Sequence, residues 1–297
     1  MRNWCVLVWV VALHAAAVYL FASGFFLTRV ELHTTAACSG SHCDLPFPPR
    51  YRKVGVSLCV WCWVAHCVTL FVFVCLCWQA VVLVVDALRY DFVAPVVTDV
   101  DAAYENKLGA VHRLLDAQDG RAALFRFRAD PPTVTAQRLK GLTTGSMPTF
   151  IDASSNFASP AIKEDNWVHQ AGKALPDRLV FMGDDTWEEL YPSAFNTSYP
   201  FPSFNVFDLH TVDQGVVQHL VCPAVTSRPN VPEMSTSNWS VIVAHMLGVD
   251  HVGHRYGPSH PSMAAKLKEV DDAIASVVDA LDEDTLLVVL GDHGVSS

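Results

Sequence analysis

Nowhere in the 297 residues do lysines and arginines cluster, and the chain carries only 20 of them against 30 aspartates and glutamates, a formal net charge of -10. A nucleic-acid backbone is held by dense positive charge, so nucleic acid is excluded as an expected partner. After Gln79 internal repeats, low-complexity tracts and long linkers are missing too, and the length suits one large α/β domain with appendages. Between Trp4 and Leu27 there is no Lys, Arg, Asp or Glu at all: WCVLVWVVALHAAAVYLFASGFFL, flanked by Arg2 and Arg29, is long enough for one membrane span. A cleaved signal peptide is the rival reading. It would have a shorter apolar region followed by a small-residue cleavage site, so the expectation is an uncleaved signal-anchor helix over residues 1–28. His14 is given no role there, since a single neutral imidazole is tolerated on a span.

The nine cysteines lack the context of a zinc site. Cys59, Cys62, Cys67, Cys75 and Cys77 fall in a second apolar run, GVSLCVWCWVAHCVTLFVFVCLCWQ, spanning Gly55–Gln79, with no partner pair in a polar setting after it. Among the remaining cysteines, a Cys38–Cys43 disulfide would suit a lumenal compartment, with Cys222 left over, although the sequence does not fix the pairing. Asn196-Thr-Ser and Asn238-Trp-Ser are glycosylation sequons usable in that compartment. Two spans would return the C-terminal part of the chain to the side of the N-terminus, against the sequons. Residues 29–79 therefore read as a linker with an anomalous insert at 54–79, either a second span or a retained intron. Val-Gly at its start and Gln at its end could be encoded by an intron's GT and AG ends.

After Gln79, apolar runs alternate with segments of helical period. AVVLVV (80–85), AALFRF (122–127), RLVFM (178–182), VIVAHM (241–246) and TLLVVL (285–290) read as buried strands, and 101–118, 136–145, 160–174, 208–220 and 259–282 as helices. That is the pattern of a parallel sheet covered on both faces, with residues 80–297 as one domain. Three strands run towards acidic and histidine residues: Asp86 after the first, Asp250 and His254 after VIVAHM, and Asp292-His293 between glycines after the last. Carboxyl ends of parallel strands share one edge, where ligands bind, so these residues can meet.

Each motif has an alternative. Asp86 is either a metal ligand or a helix-capping aspartate at a strand end. Asp250 and His254, four apart with His251 and His260 nearby, can offer a carboxylate and an imidazole to one ion. Adjacent Asp292 and His293 sit on a turn whose small neighbours permit close approach. Thr135 opens a helix whose unpaired N–H groups would favour an anion, and it is either a nucleophile or, like Thr133, only a cap. Asp184 and Asp185 could meet a substrate's amine or a sugar hydroxyl, or simply end a strand.

Together these motifs resemble the alkaline-phosphatase-like superfamily, which includes sulfatases, nucleotide pyrophosphatases and phosphoethanolamine transferases. The blocks DALRYDF, PPTVTAQRLKGLTTGSMPTFIDASSNFAS, FMGDDTWEELYPSAF, FPSFNVFDLHTVD, AHMLGVDHVGHRYGPSHP and LLVVLGDHG look like those of the type 3 GPI ethanolamine phosphate transferases. The likeness implies an alkaline-phosphatase-like α/β fold, a mostly parallel sheet flanked by helices behind a transmembrane helix. It also implies two zinc ions, with manganese the alternative: one on Asp86, Thr135, Asp292 and His293, the other on Asp250 and His254. Thr135, ten residues before Gly145, would be the nucleophile, and Asn156 the donor to a phosphoryl oxygen. The implied donor is phosphatidylethanolamine and the implied acceptor a mannosylated GPI lipid, at its third mannose. The implied location is the endoplasmic-reticulum membrane with a lumenal catalytic domain and a small stabilising membrane subunit. The family continues beyond GDHG with a further histidine and membrane helices, so a domain truncated at its C-terminus is expected, with a third ligand of the second zinc beyond Ser297. A hydrolase of the superfamily and a catalytically dead remnant are the rival functions.

The retained-intron reading expects spliced transcripts without the codons for Val54–Gln79. Transcript sequencing from several tissues checks it, and spliced message that encodes them ends the idea.

Overall fold

The computed structural model describes residues 2–25, 79–96, 102–117, 121–131, 133–147, 161–176, 178–221, 239–282 and 285–294. Cys38, Cys43, Cys222, Asn156, Asn238 and the apolar run up to Trp78 lie outside them. A 24-residue helix, α1, covers Arg2–Phe25, with Arg2 its one charged residue. Its side chains are described at Trp4 and over 8–20, all exposed, and among the described residues no helix is long and apolar enough to cross a membrane. The expected span of Trp4–Leu27 extends past the described residues at its C-terminal end.

Five strands, β1 (Gln79–Val85), β2 (Leu179–Asp184), β3 (Thr197–Phe201), β4 (Val241–Met246) and β5 (Thr285–Leu290), form one sheet in the order β3-β2-β4-β1-β5. Every pairing is parallel. Alternate strand residues feed two separate cores. Val81, Leu83, Val85, Ile242, Ala244, Leu287 and Val289 face one side, while Val82, Val84, Phe181, Val241 and Val243 face the other. Because both faces are dry, the strands read as unbroken apolar runs, unlike the in–out alternation of a half-exposed sheet.

Helices close both faces. On the first lie α3 (Gly109–Asp116), α7 (Thr211–Leu220), α8 (Gly248–Tyr256) and α9 (Pro261–Ala280), through Val111, Val216, Val249, Leu267, Val270 and Ile274. On the second lie α4 (Thr135–Thr144), α5 (Trp167–Ala174) and α6 (Thr186–Leu190), through Leu139, Val168 and Trp187. A single turn, α2 (Tyr90–Val93), follows β1. Asn166 starts α5 by accepting a hydrogen bond from the His169 N–H, so the helix expected over 160–174 begins only at Trp167. Likewise the helix expected over 101–118 is confined to Gly109–Asp116.

Two strand assignments differ from expectation. Residues 122–127 form no strand of the sheet, and Phe125 is exposed. Arg126 and Arg128 interleave with the apolar residues there, and charged side chains have no place on a strand buried on both faces. Conversely β3, TSYPF, pairs only with β2 at the sheet's edge, the position where a polar strand containing Pro200 loses no ladder hydrogen bond.

The register aligns the carboxyl ends: Val85 pairs with Met246, Val84 with Leu290 and Gly183 with His245. At Gly183, φ is +126° and an added Cβ would lie 2.1 Å from the His245 carbonyl oxygen, so β2 can close on β4 there only through glycine. Gly183→Ala is expected to destabilise the fold by more than about 3 kcal/mol, read as a lowered denaturant midpoint at unchanged slope.

Candidate metal centre at the carboxyl edge of the sheet

β1 delivers Asp86, whose N–H donates to the Met246 carbonyl and so extends the ladder one residue further. Ala87 then turns at φ +57°, a left-handed conformation that costs a non-glycine residue about 1–3 kcal/mol and is held by its surroundings. Its N–H donates to Asp292 Oδ1 at 3.1 Å, tying the end of β1 to the turn after β5. Gly291 makes that approach possible, because a Cβ there would sit 2.2 Å from the Leu88 carbonyl oxygen. The expected close approach through small neighbours is therefore a property of the structure.

Asp86, Asp292 and His293 present ligand atoms that all lie within 4.8 Å of one another. His293 Nε2 is 3.1 Å from Asp86 Oδ1 and 3.5 Å from Asp292 Oδ2. Thr135 joins them from the second face of the sheet as the first residue of α4. Its hydroxyl donates to Asp86 Oδ2 at 3.1 Å. The N-cap of α4 is Val134, which has no capping side chain, so the hydroxyl of Thr135 serves Asp86 and not the helix. One turn later buried Arg138 donates from Nε to the Asp292 carbonyl at 3.0 Å and from Nη1 to the Asp130 carbonyl at 3.1 Å. It fastens the helix of Thr135 to the turn of Asp292, a role no sequence motif announced.

Asp250 and His254 lie on successive turns of α8, with His254 Nε2 3.3 Å from Asp250 Oδ1. They form a pair beside the first group, and Asp250 is close enough to Asp86 and His293 to feel both charges. His254 points outward, its side chain 63% exposed, while Asp250 is buried. The two neighbouring histidines have ordinary roles: His251 Nδ1 bonds the Asp208 carbonyl at 2.7 Å, and His260 caps α9.

A second group was not foreseen. Asp86, Asp184 and His245 also bring ligand-type atoms within 4.8 Å, all buried. The available signal was His245 itself, an imidazole inside the apolar run VIVAHM, since a polar group on a strand with two dry faces must find a partner. Asp184, the last residue of β2, is 1% exposed. Its Oδ1 accepts from the Thr186 N–H at 2.8 Å, and Asp185 accepts from Ser203.

Electrostatics sharpen the picture. Burial raises the Asp292 carboxyl, the Asp86 charge adds to it, and together they lift it to about 7. Burial, then Asp86, lifts Asp250 to about 6. Burial alone would lower His293, but Asp86, Asp292 and Asp250 reverse the sign and raise it to about 9. Burial works against the Asp86 carboxylate as well, yet His245 and His293 outweigh it and hold the group well below the usual carboxylate range. Each of the upward shifts reflects negative charge crowded into a buried space, which a cation would relieve. Asp86 Oδ1, Asp292 Oδ2, His293 Nδ1 and Asp250 Oδ1 are buried and carry no hydrogen bond. Orphaned buried acceptors of this kind are the donor set of a divalent cation, and the residues fit one.

Residues 133–297 match the family described as type I phosphodiesterase / nucleotide pyrophosphatase. The chain is 44% identical to the GPI ethanolamine phosphate transferase 3, catalytic subunit, of Mus musculus, over 98% of its own length and 25% of the relative's. It is 51% identical to the GPI ethanolamine phosphate transferase 3 of Eremothecium gossypii over 73% of its length and 21% of the relative's. It is 34% identical to the GPI ethanolamine phosphate transferase 2 of Yarrowia lipolytica over 99% and 29%. The chain spans about a quarter of the length of these curated relatives.

Ligation requires Asp292 and His293 to lose the protons they hold below about 7 and about 9. Zinc binding is therefore expected to release protons, and the apparent affinity to weaken steadily as pH falls from about 9 to about 6. Calorimetric titration in buffers of different ionisation enthalpy checks this, and an affinity flat across that range contradicts it.

Proposed function

The chain belongs to the type I phosphodiesterase / nucleotide pyrophosphatase family, and from that premise we propose that it transfers phosphoethanolamine from phosphatidylethanolamine to a mannose, the third, of a GPI-anchor precursor. The names of its relatives support ethanolamine phosphate as the group transferred and GPI as its acceptor. The observation that carries the reaction is the Thr135 hydroxyl on Asp86 Oδ2 at the uncapped start of α4.

Asp86 holds the hydroxyl hydrogen of Thr135 and so turns the oxygen's lone pairs away from the carboxylate, towards an incoming phosphorus. A bond forms between Thr135 Oγ1 and phosphorus, the bond from phosphorus to the glycerol oxygen breaks, and the threonine's proton ends on the departing diacylglycerol. In the second half a mannose oxygen takes the phosphoethanolamine, and the mannose proton restores the threonine hydroxyl. The N-terminal end of the α4 dipole favours the phosphoryl oxygens, and Asn156, outside the described residues, is the proposed further donor. Two divalent cations, zinc with manganese as the alternative, held by Asp86, Thr135, Asp292 and His293 and by Asp250 and His254, would supply charge neutralisation and easier loss of hydroxyl protons. Arg138 keeps the nucleophile's helix in register with Asp292 while this happens.

The proposed setting is the endoplasmic-reticulum membrane, with α1 as anchor, a lumenal domain and a small membrane subunit. The lack of any Lys, Arg, Asp or Glu in α1 after Arg2 is the feature that favours the anchor. A second reading, hydrolysis with water in place of mannose, is favoured by the description of the matched family.

Incubation with labelled phosphatidylethanolamine and a GPI precursor separates the two: label on the glycolipid supports transfer, and free phosphoethanolamine alone supports hydrolysis. Thr135→Ala is expected to lower either activity roughly a thousandfold or more, and to remove a phosphothreonine detectable by mass spectrometry in the wild type. An alanine variant with wild-type turnover removes Thr135 as nucleophile.

A further inference from the structure

His245 lies between two buried carboxylates. Its Nε2 is 3.6 Å from Asp86 Oδ2, and its Nδ1 is 3.7 Å from Asp184 Oδ2. It is wholly buried, on β4 directly beside the end of β1. The spacing of this trio would admit a cation, but a third neighbour decides otherwise. The indole Nε1–H of Trp187 donates to His245 Nδ1 at 3.0 Å. An imidazole nitrogen that accepts carries no hydrogen, so the ring's one proton is on Nε2 and faces Asp86. The flanking carboxylates favour a second proton, but on Nδ1 it would collide with the indole's own N–H. A cation would need a free lone pair on one of these nitrogens, and neither has one.

The sequence builds this arrangement in steps. Asp184 Oδ1 accepts from the Thr186 N–H at 2.8 Å, fixing the start of α6, and α6 carries Trp187 into the second core against Phe181 and Tyr191. The rigid indole then selects the tautomer of His245. Asp86 is the carboxylate on which the arrangement converges: Oδ1 faces His293, whereas Oδ2 takes the Thr135 hydroxyl and faces His245.

We propose that His245, with its tautomer set by Trp187, is a positioning residue that presents its Nε2 proton to Asp86 and so divides the work of the two oxygens, Oδ1 towards the cation and Oδ2 towards the nucleophile. This rests on the metal-dependent reading of the site. Outer partners that orient a metal-binding carboxylate characteristically change affinity or activity by 10–100-fold when removed. The separation of 3.6 Å is longer than a hydrogen bond, so the Nε2–H acts on Asp86 as a close electrostatic neighbour in a buried setting.

The test uses the full chain with Zn2+ alone, its affinity measured by chelator competition, and Co2+ absorption as a report on ligand geometry. Trp187→Phe keeps the aromatic packing and deletes only the N–H, and His245→Leu deletes the imidazole. Both are expected to weaken Zn2+ binding by about 10–100-fold and to shift the Co2+ bands, while His245→Gln, which restores an N–H near the position of Nε2, recovers most of the affinity. Should His245→Leu fail to fold, Trp187→Phe and His245→Gln decide. A folded Trp187→Phe with wild-type affinity and unshifted bands overturns the proposal. Asp292→Asn is the control: if it alone abolishes binding while the Trp187 and His245 variants bind normally, the metal reading stands and the role of His245 falls. If Asp292→Asn also binds normally, the metal reading fails and takes this proposal with it.

Discussion

The charge of Asp86 is the constraint around which the carboxyl edge is arranged. It has no access to water, yet two imidazoles face it and a threonine hydroxyl donates to it. A buried carboxylate is tolerated only when such partners offset its lost hydration. Each partner comes from a different part of the chain: His293 from beyond β5, His245 from β4 and Thr135 from α4. Holding Asp86 charged therefore requires the ends of three strands and one helix to meet, and the same meeting leaves unpaired acceptors where a cation fits.

The sheet explains why the meeting happens at this edge. With both faces packed against helices, polar chemistry has no room along the strands and is displaced to their ends. Parallel pairing then puts all the carboxyl ends on one side, so strands separated by two hundred residues deliver their next residues to one place. Behind the edge, a supporting layer keeps the site in position. Arg138 binds the Asp292 carbonyl, and a buried Asp213 accepts from the Leu247 and Gly248 N–H groups at the start of α8, with Lys266 3.3 Å away. This fixes the helix of Asp250 and His254 against the sheet. Such layers convert the rigidity of the core into precise placement of the side chains at the edge.

Much of this was legible in order along the chain. The runs at 80–85, 178–182, 241–246 and 285–290 correspond to four of the five strands, and Asp86 and Asp292-His293 follow the first and last at the carboxyl edge they share. The reading failed where local composition and tertiary position disagree. AALFRF has strand-like residues but Arg126 among them and Arg128 just after, and it lies outside the sheet. TSYPF has a proline and hydroxyls, and it is an edge strand because an edge asks for less. His245 escaped notice because its neighbours in sequence are apolar, while its neighbours in space are two carboxylates and an indole.

The sequence by itself determined the alternation of strands and helices, the identity of the acidic and histidine residues at strand ends, and the threonine at a helix start. These depend on local periodicity and on residue type, which survive in one dimension. Only the tertiary structure decided that Asp86 is the shared carboxylate of two groups, that Thr135 donates to it instead of capping its helix, and that Trp187 gives His245 its tautomer. Such facts depend on distances of about 3 Å between residues far apart in the chain, at which hydrogen bonds either exist or do not. Sheet order, the turn at Ala87 and the closeness that Gly183 and Gly291 permit fix those distances.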